Sequence, residues 1–92
     1  ETAEELGRTL VSERLAACAN VVPNIVSMYW WEGELQRDDE AMVILKTVRQ
    51  RAEALEARAV ELHPYSVPEV LVLAVSGGHA PYLDWVGNEV GG

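Results

Sequence analysis

Apolar residues recur at helical spacing near the start of the chain. Thr2 and Glu5 form a capping-box pattern, in which the hydroxyl caps a helix and the carboxylate reaches back to its first turn. The apolar residues that follow share one helical face: Leu6, Leu10, Val11, Leu15 and Cys18. The pattern predicts a first helix from Ala3 to Ala16 or Ala17.

A long apolar and aromatic stretch follows this helix. Its β-branched and aromatic residues predict a strand over Ala19–Glu32, bent or bulged near Pro23-Asn24. Gly33 permits a tight turn or a bulge, and Arg37–Asp39 indicates a polar tip. A second strand over Glu40–Thr47 is close to the first in sequence, so the two are expected to form an antiparallel hairpin.

The second half of the chain predicts a helix, a strand and a short helix. Thr47–Gln50 resembles a second capping box, and apolar residues recur on one helical face from Val48 to Leu62. Val70–Val75 is a continuous apolar run that predicts a strand, ended by Gly77-Gly78. Pro81 suits the first turn of the last helix. The apolar face of that helix consists of Tyr82, Leu83, Trp85 and Val86.

Pro64 and Pro68 stiffen the connector between the second helix and the last predicted strand. The connector is expected to be extended and to hold His63, Tyr65 and Glu69 at fixed relative positions. The alternative is that the prolines only end one element and begin the next.

The order of elements predicts an α+β fold. One strand placed before the first helix gives β-α-β-β-α-β, the ferredoxin-like sandwich, here with a short C-terminal helix. That first strand is central in the sheet, and its absence would leave backbone groups unpaired at roughly 1–3 kcal/mol for each buried group. We therefore expect residues 1–92 to be one domain that lacks its first strand. The alternative is that another segment, from this chain or from another chain, fills the gap.

Composition narrows the classes of function. Fifteen acidic residues against seven basic ones give a net charge of −8, which disfavours nucleic-acid and anionic-lipid partners. No apolar run approaches the ~20 residues of a membrane helix. The single cysteine, Cys18, has no internal disulfide partner, which favours a cytoplasmic location.

Three adjacent aromatic residues, Tyr29, Trp30 and Trp31, predict a subunit interface. They leave the strand over Ala19–Glu32 apolar on both faces, whereas a two-layer domain of this size buries only one sheet face. An apolar strand of this kind is poorly suited to an exposed edge. Contact with a neighbouring subunit would cover the rings.

Five blocks of sequence, in this order, carry a resemblance to a known family: Glu13–Asn20, Tyr29–Gly33, Ile44–Thr47, His63–Glu69 and Pro81–Trp85. Together they resemble CutA, the divalent-cation-tolerance family. The resemblance implies a ferredoxin-like sandwich preceded by an apolar strand, and a homotrimer whose hairpins meet edge to edge. It also implies a link to copper and other divalent metals, and a likeness to PII signalling proteins.

His63 is the best candidate metal ligand, and Cys18 is the second. The resemblance implies a copper site built from a cysteine on the absent upstream strand and two adjacent histidines before Pro-Tyr. Leu62 stands at the position of one of those histidines. Copper binding is therefore expected to be weak or absent. Cys18 is expected at a helix end as a buried thiol, and His79 in a solvated loop. The carboxylates of Asp38–Glu40 are expected to form a solvated turn that binds no cation.

A small-molecule cleft is the second hypothesis. Its candidate residues combine a cation, a carboxylate and aromatic walls: Lys46, Tyr65, Glu69, Tyr82 and Trp85. The alternative is that Trp85 only packs the last helix and Lys46 only pairs with a carboxylate.

The serines show no nucleophile elbow and Gly77-Gly78 is not a phosphate loop, so no enzymatic activity is expected. Together with the resemblance, this implies a cytoplasmic, non-catalytic homotrimer in divalent-cation tolerance, with a role in metal-ion binding or homeostasis. Copper or another divalent cation is its candidate ligand, and no cofactor is required. The alternative is a PII-like signalling or anchoring trimer that binds a small molecule at intersubunit clefts.

Overall fold

The computed structural model describes residues 2–63 and 68–91, which form three helices and one two-stranded antiparallel sheet. In chain order the elements are α1 (Ala3–Ser12), β1 (Cys18–Trp31), β2 (Glu34–Lys46), α2 (Arg49–Leu62) and α3 (Ala80–Glu89). None of the helices in these ranges is long and apolar enough to cross a bilayer.

Helix α1 begins as predicted. The side-chain oxygen of Thr2 accepts a hydrogen bond from the backbone N–H of Glu5 at 3.3 Å, which confirms Thr2 as the N-cap. The helix ends at Ser12 rather than at Ala16 or Ala17, because Arg14 has a left-handed backbone with φ 64°.

A Schellman motif ends α1. The backbone N–H of Arg14 donates to the Val11 carbonyl at 3.0 Å, and that of Leu15 donates to the Leu10 carbonyl at 3.1 Å. Glycine is the usual residue at the left-handed position of this motif, so an arginine there gives no sequence signal for the helix end.

Strands β1 and β2 pair along nearly their whole length, from Cys18 opposite Lys46 to Trp31 opposite Glu34. The register shifts between Val22 and Ile25, which confirms the predicted bulge. The hairpin turns at Glu32 and Gly33, with φ 50° and 83°, the positive values of a type I′ turn.

The predicted polar tip at Arg37–Asp39 is wrong. Strand β2 begins at Glu34, well before the expected Glu40, and Asp38 lies opposite Ser27 inside the ladder. Charged residues are tolerated there because this arm of the hairpin is largely exposed, so they mark solvent contact rather than a turn.

Substitution of Gly33 by alanine is expected to destabilise the fold by about 1 kcal/mol, because an L-residue is disfavoured in the left-handed region. Gly87→Ala is the matched control: a Cβ added to Gly87, within α3, meets nothing within 4 Å. That change should be neutral or stabilising, since alanine is the better helix former. Urea unfolding of both variants distinguishes the two signs, and a Gly33→Ala variant as stable as Gly87→Ala would contradict the turn assignment.

The core lies between α1, α2 and the hairpin. Its buried residues are Leu10, Ala16, Leu55 and Ala59, and Leu6, Val11, Leu15, Leu45 and Val70 pack partly against them. The apolar face predicted for α2 is thus confirmed at Leu55, whereas Leu62 at the end of the helix is 37% exposed.

The second predicted capping box is wrong. The N-cap of α2 is Val48, which makes no side-chain cap hydrogen bond. The Thr47 hydroxyl donates instead to the Leu15 carbonyl at 2.7 Å, tying the end of β2 to the loop after α1. A long-range partner therefore replaces the local one that the pattern indicated.

The strand predicted at Val70–Val75 is not formed among the described residues. In the part of the chain from residue 68 to 79 no residue is in a strand, and Leu71 and Leu73 are 75% and 85% exposed. A strand needs a hydrogen-bonded neighbour, and the only sheet among the described residues consists of β1 and β2. The apolar run alone does not supply one.

Helix α3 begins at Ala80 with Pro81 in its first turn, as predicted. Of its predicted apolar face only Val86 is buried, whereas Tyr82, Leu83 and Trp85 are 41–42% exposed. Few buried side chains therefore pack α3 against the rest of the domain.

Candidate functional site

Lys46 and Cys18 meet at the open end of the hairpin, where they lie directly opposite each other. The Lys46 ammonium lies 3.8 Å from the thiol sulfur and donates to the side-chain oxygen of Asn20. Cys18 opens β1 and is half-buried, so the expected position at a helix end is wrong. The structure pairs Lys46 with an amide and a thiol, and sequence reasoning missed Asn20.

Tyr82 and Trp85 are the two cleft candidates that the structure brings together. Their ring centroids are 5.6 Å apart with planes tilted by 33°, and both rings lie on α3 with about two-fifths of their surface exposed. Glu69 is exposed, and Tyr65 lies outside the described residues. Within the described ranges no hydrogen bond, ion pair or ring contact joins Lys46 or Glu69 to this aromatic pair.

His63, the candidate metal ligand, is the C-cap residue of α2. Its backbone N–H donates to the Ala59 carbonyl at 3.0 Å, and the residue is partly buried. Across residues 2–63 and 68–91, no three His, Cys, Asp or Glu side chains are placed to hold a metal ion together. His79 is exposed and lies outside the helices and strands, as predicted, at the N-cap position of α3.

The acidic run in β2 does not converge on a point. Asp38 accepts a hydrogen bond from the Tyr29 hydroxyl, and Asp39 pairs with Arg37 at 3.3 Å. Successive strand residues project to opposite faces, so adjacent carboxylates cannot share a cation. Their expected position in a turn is wrong, whereas their exposure is as predicted.

The outer part of the hairpin carries an exposed aromatic arm, defined here as Met28, Tyr29, Trp30, Trp31 and Leu35. Trp30 is 73% exposed, Met28 70%, Leu35 64%, Trp31 56% and Tyr29 38%. Monomeric proteins rarely leave this many large apolar side chains uncovered in one region of their surface. The arm is therefore the strongest candidate for an interaction surface.

An open groove of about 920 Å³ lies between α2 and α3. No pattern in the sequence indicated this groove. Its walls include Val48, Arg51, Leu83, Asp84 and Asn88. These residues come from the start of α2 and from successive turns of α3, so only the packing of the two helices creates the groove.

The groups with perturbed pKa values are Glu13 and Arg58, which form an ion pair away from the candidate site residues. Arg58 donates to both carboxylate oxygens of Glu13, at 2.9 and 2.8 Å, and also to Glu61 at 3.1 Å. The hydrogen bonds from Arg58 lower the pKa of Glu13, and those to Glu13 and Glu61 raise the pKa of Arg58. The pair links the end of α1 to α2, so its role is structural.

Glu13→Gln is expected to reduce the acid sensitivity of the fold. Because the pKa of Glu13 is lower in the folded chain, its carboxylate stabilises the fold above the ordinary glutamate pKa of about 4.3, and this contribution is lost as pH falls through the lowered value. Urea unfolding at neutral pH and at pH ~3 should show a smaller loss in Glu13→Gln than in the unmodified chain. An equal loss would exclude this role for Glu13.

Comparison with known proteins places this arrangement in a family. Residues 1–89 match the family model described as CutA1 divalent ion tolerance protein. The chain is 42% identical over 91 residues to the divalent-cation tolerance protein CutA of Thermus thermophilus, covering 99% of this chain and 88% of that one. It is 44% identical over 88 residues to the chloroplastic protein CutA 1 of Oryza sativa, covering 96% of this chain and half of the rice protein.

Solved structures agree with the sequence comparison. The divalent cation tolerance protein of Thermus thermophilus superposes with a TM-score of 0.91 at 42% identity, covering 97% of this chain and 86% of that one. The PII-like protein CutA of a Nostoc species gives a TM-score of 0.90 at 36% identity, covering 96% and 86%. The fold is therefore an α+β, ferredoxin-like fold with PII-like structural neighbours. The chain belongs to the CutA divalent-cation-tolerance family.

Proposed function

We propose that this chain acts as a homotrimer in divalent-cation tolerance, by binding rather than by turnover. The observation that carries the proposal is the exposed aromatic arm in a chain of the CutA family. Divalent-cation tolerance is what the names of its relatives state, as for the Thermus protein. The trimer is what the resemblance to the family implies.

The aromatic arm supports association for a physical reason. Trp30 and Trp31 project to opposite faces of a two-stranded hairpin, so one subunit cannot cover both rings by folding back on one face. Each ring removed from water contributes several kcal/mol, at about 25 cal/mol per Å² over 150–250 Å². Neighbouring hairpins that meet edge to edge would pair the outer backbone groups, and closure of three hairpins around one axis would bring the rings against neighbouring subunits.

An upstream strand completes the domain in this proposal. Residues 70–75 keep an extended run of apolar side chains exposed, including Leu71, Leu73 and Val75 at 75% or more. A strand between this run and the hairpin would give both a hydrogen-bonded neighbour. Amide exchange on the chain with its preceding residues should then show protected amides over residues 70–75, and fast exchange there would count against the added strand.

Metal binding through His63 is the finer part of the proposal, and we expect it to be weak. Leu62 stands where the resemblance calls for a second histidine, and the other soft candidate, Cys18, has the Lys46 ammonium 3.8 Å from its sulfur. A cation at the thiol would meet that positive charge at short range.

Calorimetric titration with copper(II) measures this directly. We expect no submicromolar site, and little difference between the unmodified chain and His63→Ala. His79→Ala is the matched control, because it removes the other histidine of the chain at an exposed position. A submicromolar site that disappears in His63→Ala and persists in His79→Ala would show that the weak-binding prediction is wrong.

A PII-like ligand trimer is the second candidate function. It is favoured by the half-exposed Tyr82–Trp85 pair, which offers an aromatic wall, with Lys46, Tyr65 and Glu69 as the polar candidates. Thermal-shift measurements with divalent metals, nucleotides and organic acids separate the two functions, because a ligand of the native state raises the melting temperature. A trimer that responds to none of them would favour an anchoring role.

The remaining assignments are proposals of the same kind. The acidic balance of −8 supports the absence of nucleic-acid and membrane-surface partners, and the single cysteine supports a cytoplasmic location.

A further inference from the structure

The carboxyl end of α3 is held by two arginines that come from other elements. The Arg14 guanidinium donates to the Glu89 carbonyl at 2.9 Å and to its carboxylate at 2.8 Å. The Arg51 Nε donates to the Val90 carbonyl at 3.0 Å. The last turn of α3 has no basic residue of its own, so both cations that meet its carbonyls are supplied by the rest of the fold.

Arg51 occupies an electrostatically unusual position. It lies in the first turn of α2, which contains no acidic residue, so by itself it places a positive charge at the positive end of that helix. The negative end of α3 offsets this, because the Val90 carbonyl accepts its hydrogen bond and Val90 itself is fully buried. The hydrogen bond therefore stabilises the docking of α3 more than it stabilises α2.

The backbone of Arg14 adopts an energetically unfavourable conformation. Its left-handed backbone is disfavoured for a residue with a Cβ, yet this conformation ends α1 and its side chain bonds twice to Glu89 of α3. The Arg14–Glu89 pair is well exposed, with side chains 64% and 41% accessible, so salt should weaken it.

Apolar anchoring of α3 is limited by comparison. Val86 and Val90 are buried, whereas the larger Tyr82, Leu83 and Trp85 keep about two-fifths of their surface exposed. The groove of about 920 Å³ runs along the α2 side of the helix. A helix attached in this way can separate at a lower free energy than global unfolding.

We propose that α3 is a latch: Arg14 and Arg51 hold its carboxyl end, and when they release it α3 leaves α2 as a unit while the hairpin and the α1–α2 core stay folded. Release widens the α2–α3 groove and exposes the start of α2. The latch is sensitive to ionic strength, and the contacts of Arg14 and Arg51 that hold it lie within one subunit.

Native-state amide exchange, resolved by residue, tests the latch in Arg51→Gln and Arg14→Gln. We expect the α3 amides to exchange about tenfold faster in Arg51→Gln, where a charged hydrogen bond to a buried carbonyl is lost. The expected acceleration in Arg14→Gln is severalfold, because its partners are exposed. Amides of β1 and β2 should keep their protection in both variants.

Arg8→Gln is the matched control, because it removes the same charge from an arginine that, among residues 2–63 and 68–91, pairs along α1 with Glu4. Its side chain is 74% exposed. It should leave α3 exchange unchanged. In the unmodified chain, raising the salt concentration to ~1 M should accelerate α3 exchange relative to that of β1 and β2, because the screening length falls to about 3 Å.

Three results would overturn the latch. The first is α3 exchange that is insensitive to salt and to both substitutions, and the second is equal acceleration by Arg8→Gln. The third is a parallel loss of protection in the hairpin, which would show that the two arginines support the whole fold rather than α3.

Discussion

Replacement of Trp30 and Trp31 together by glutamate is expected to abolish the proposed trimer and leave a folded single subunit. Both rings are largely exposed in the subunit, so their loss removes little intrasubunit packing. A ring that a partner covers is removed from water, and loss of a central tryptophan from an interface costs about 2 kcal/mol or more. The added carboxylates would also repel one another across three copies of a chain that already carries a charge of −8.

Size-exclusion chromatography with light scattering measures the mass of this variant, and circular dichroism confirms that it is folded. Trp85→Glu is the matched control, because it makes the same chemical change on α3 at a ring that is 41% exposed. The control should remain a trimer. A double variant that still elutes as a trimer would show that the aromatic arm is not the interface.

Leu10→Ala is expected to destabilise the fold by about 2–5 kcal/mol. Leu10 is fully buried between α1, α2 and the hairpin, so truncation leaves a cavity in the one core formed by the described residues. Small domains have stabilities of roughly 5–15 kcal/mol, so a loss of this size removes much of the total.

Leu62→Ala provides the comparison, because the same atoms are removed from a leucine at the end of α2 that is 37% exposed. It should cost much less than Leu10→Ala in urea unfolding. Both variants must be compared at one protein concentration, since association adds to apparent stability. Equal losses at the two positions would contradict the position of the core.

Local patterns predicted most of the elements. Three predictions that depend on neighbouring residues are confirmed. They are the Thr2 cap of α1, the apolar face of α2 at Leu55 and the proline in the first turn of α3. The bulge between Val22 and Ile25 also follows from a local cause, since proline cannot donate to a ladder.

The errors arose where distant contacts decide. Thr47 has a good capping pattern, yet its hydroxyl bonds to Leu15, 32 residues away in sequence. Residues 70–75 are apolar enough for a strand, but strand formation depends on a neighbour rather than on composition. The charged Arg37–Asp39 run predicted a turn, because turns are rich in polar residues. In the structure its charges mark solvent exposure within a strand.

The candidate site shows the same division. Tyr82 and Trp85 are one helical turn apart, so their contact could be predicted from sequence spacing. The approach of Lys46 to Cys18 depends on the register of a hairpin, and that of Arg14 to Glu89 joins residues 75 positions apart. No pattern within one segment contains these contacts.

Sedimentation equilibrium of the unmodified chain at micromolar concentration tests the central claim most directly. The proposed trimer should sediment at about three times the subunit mass of 10.1 kDa. A well-folded species that sediments at the subunit mass would contradict the account, because the aromatic arm would then remain exposed to water without a partner.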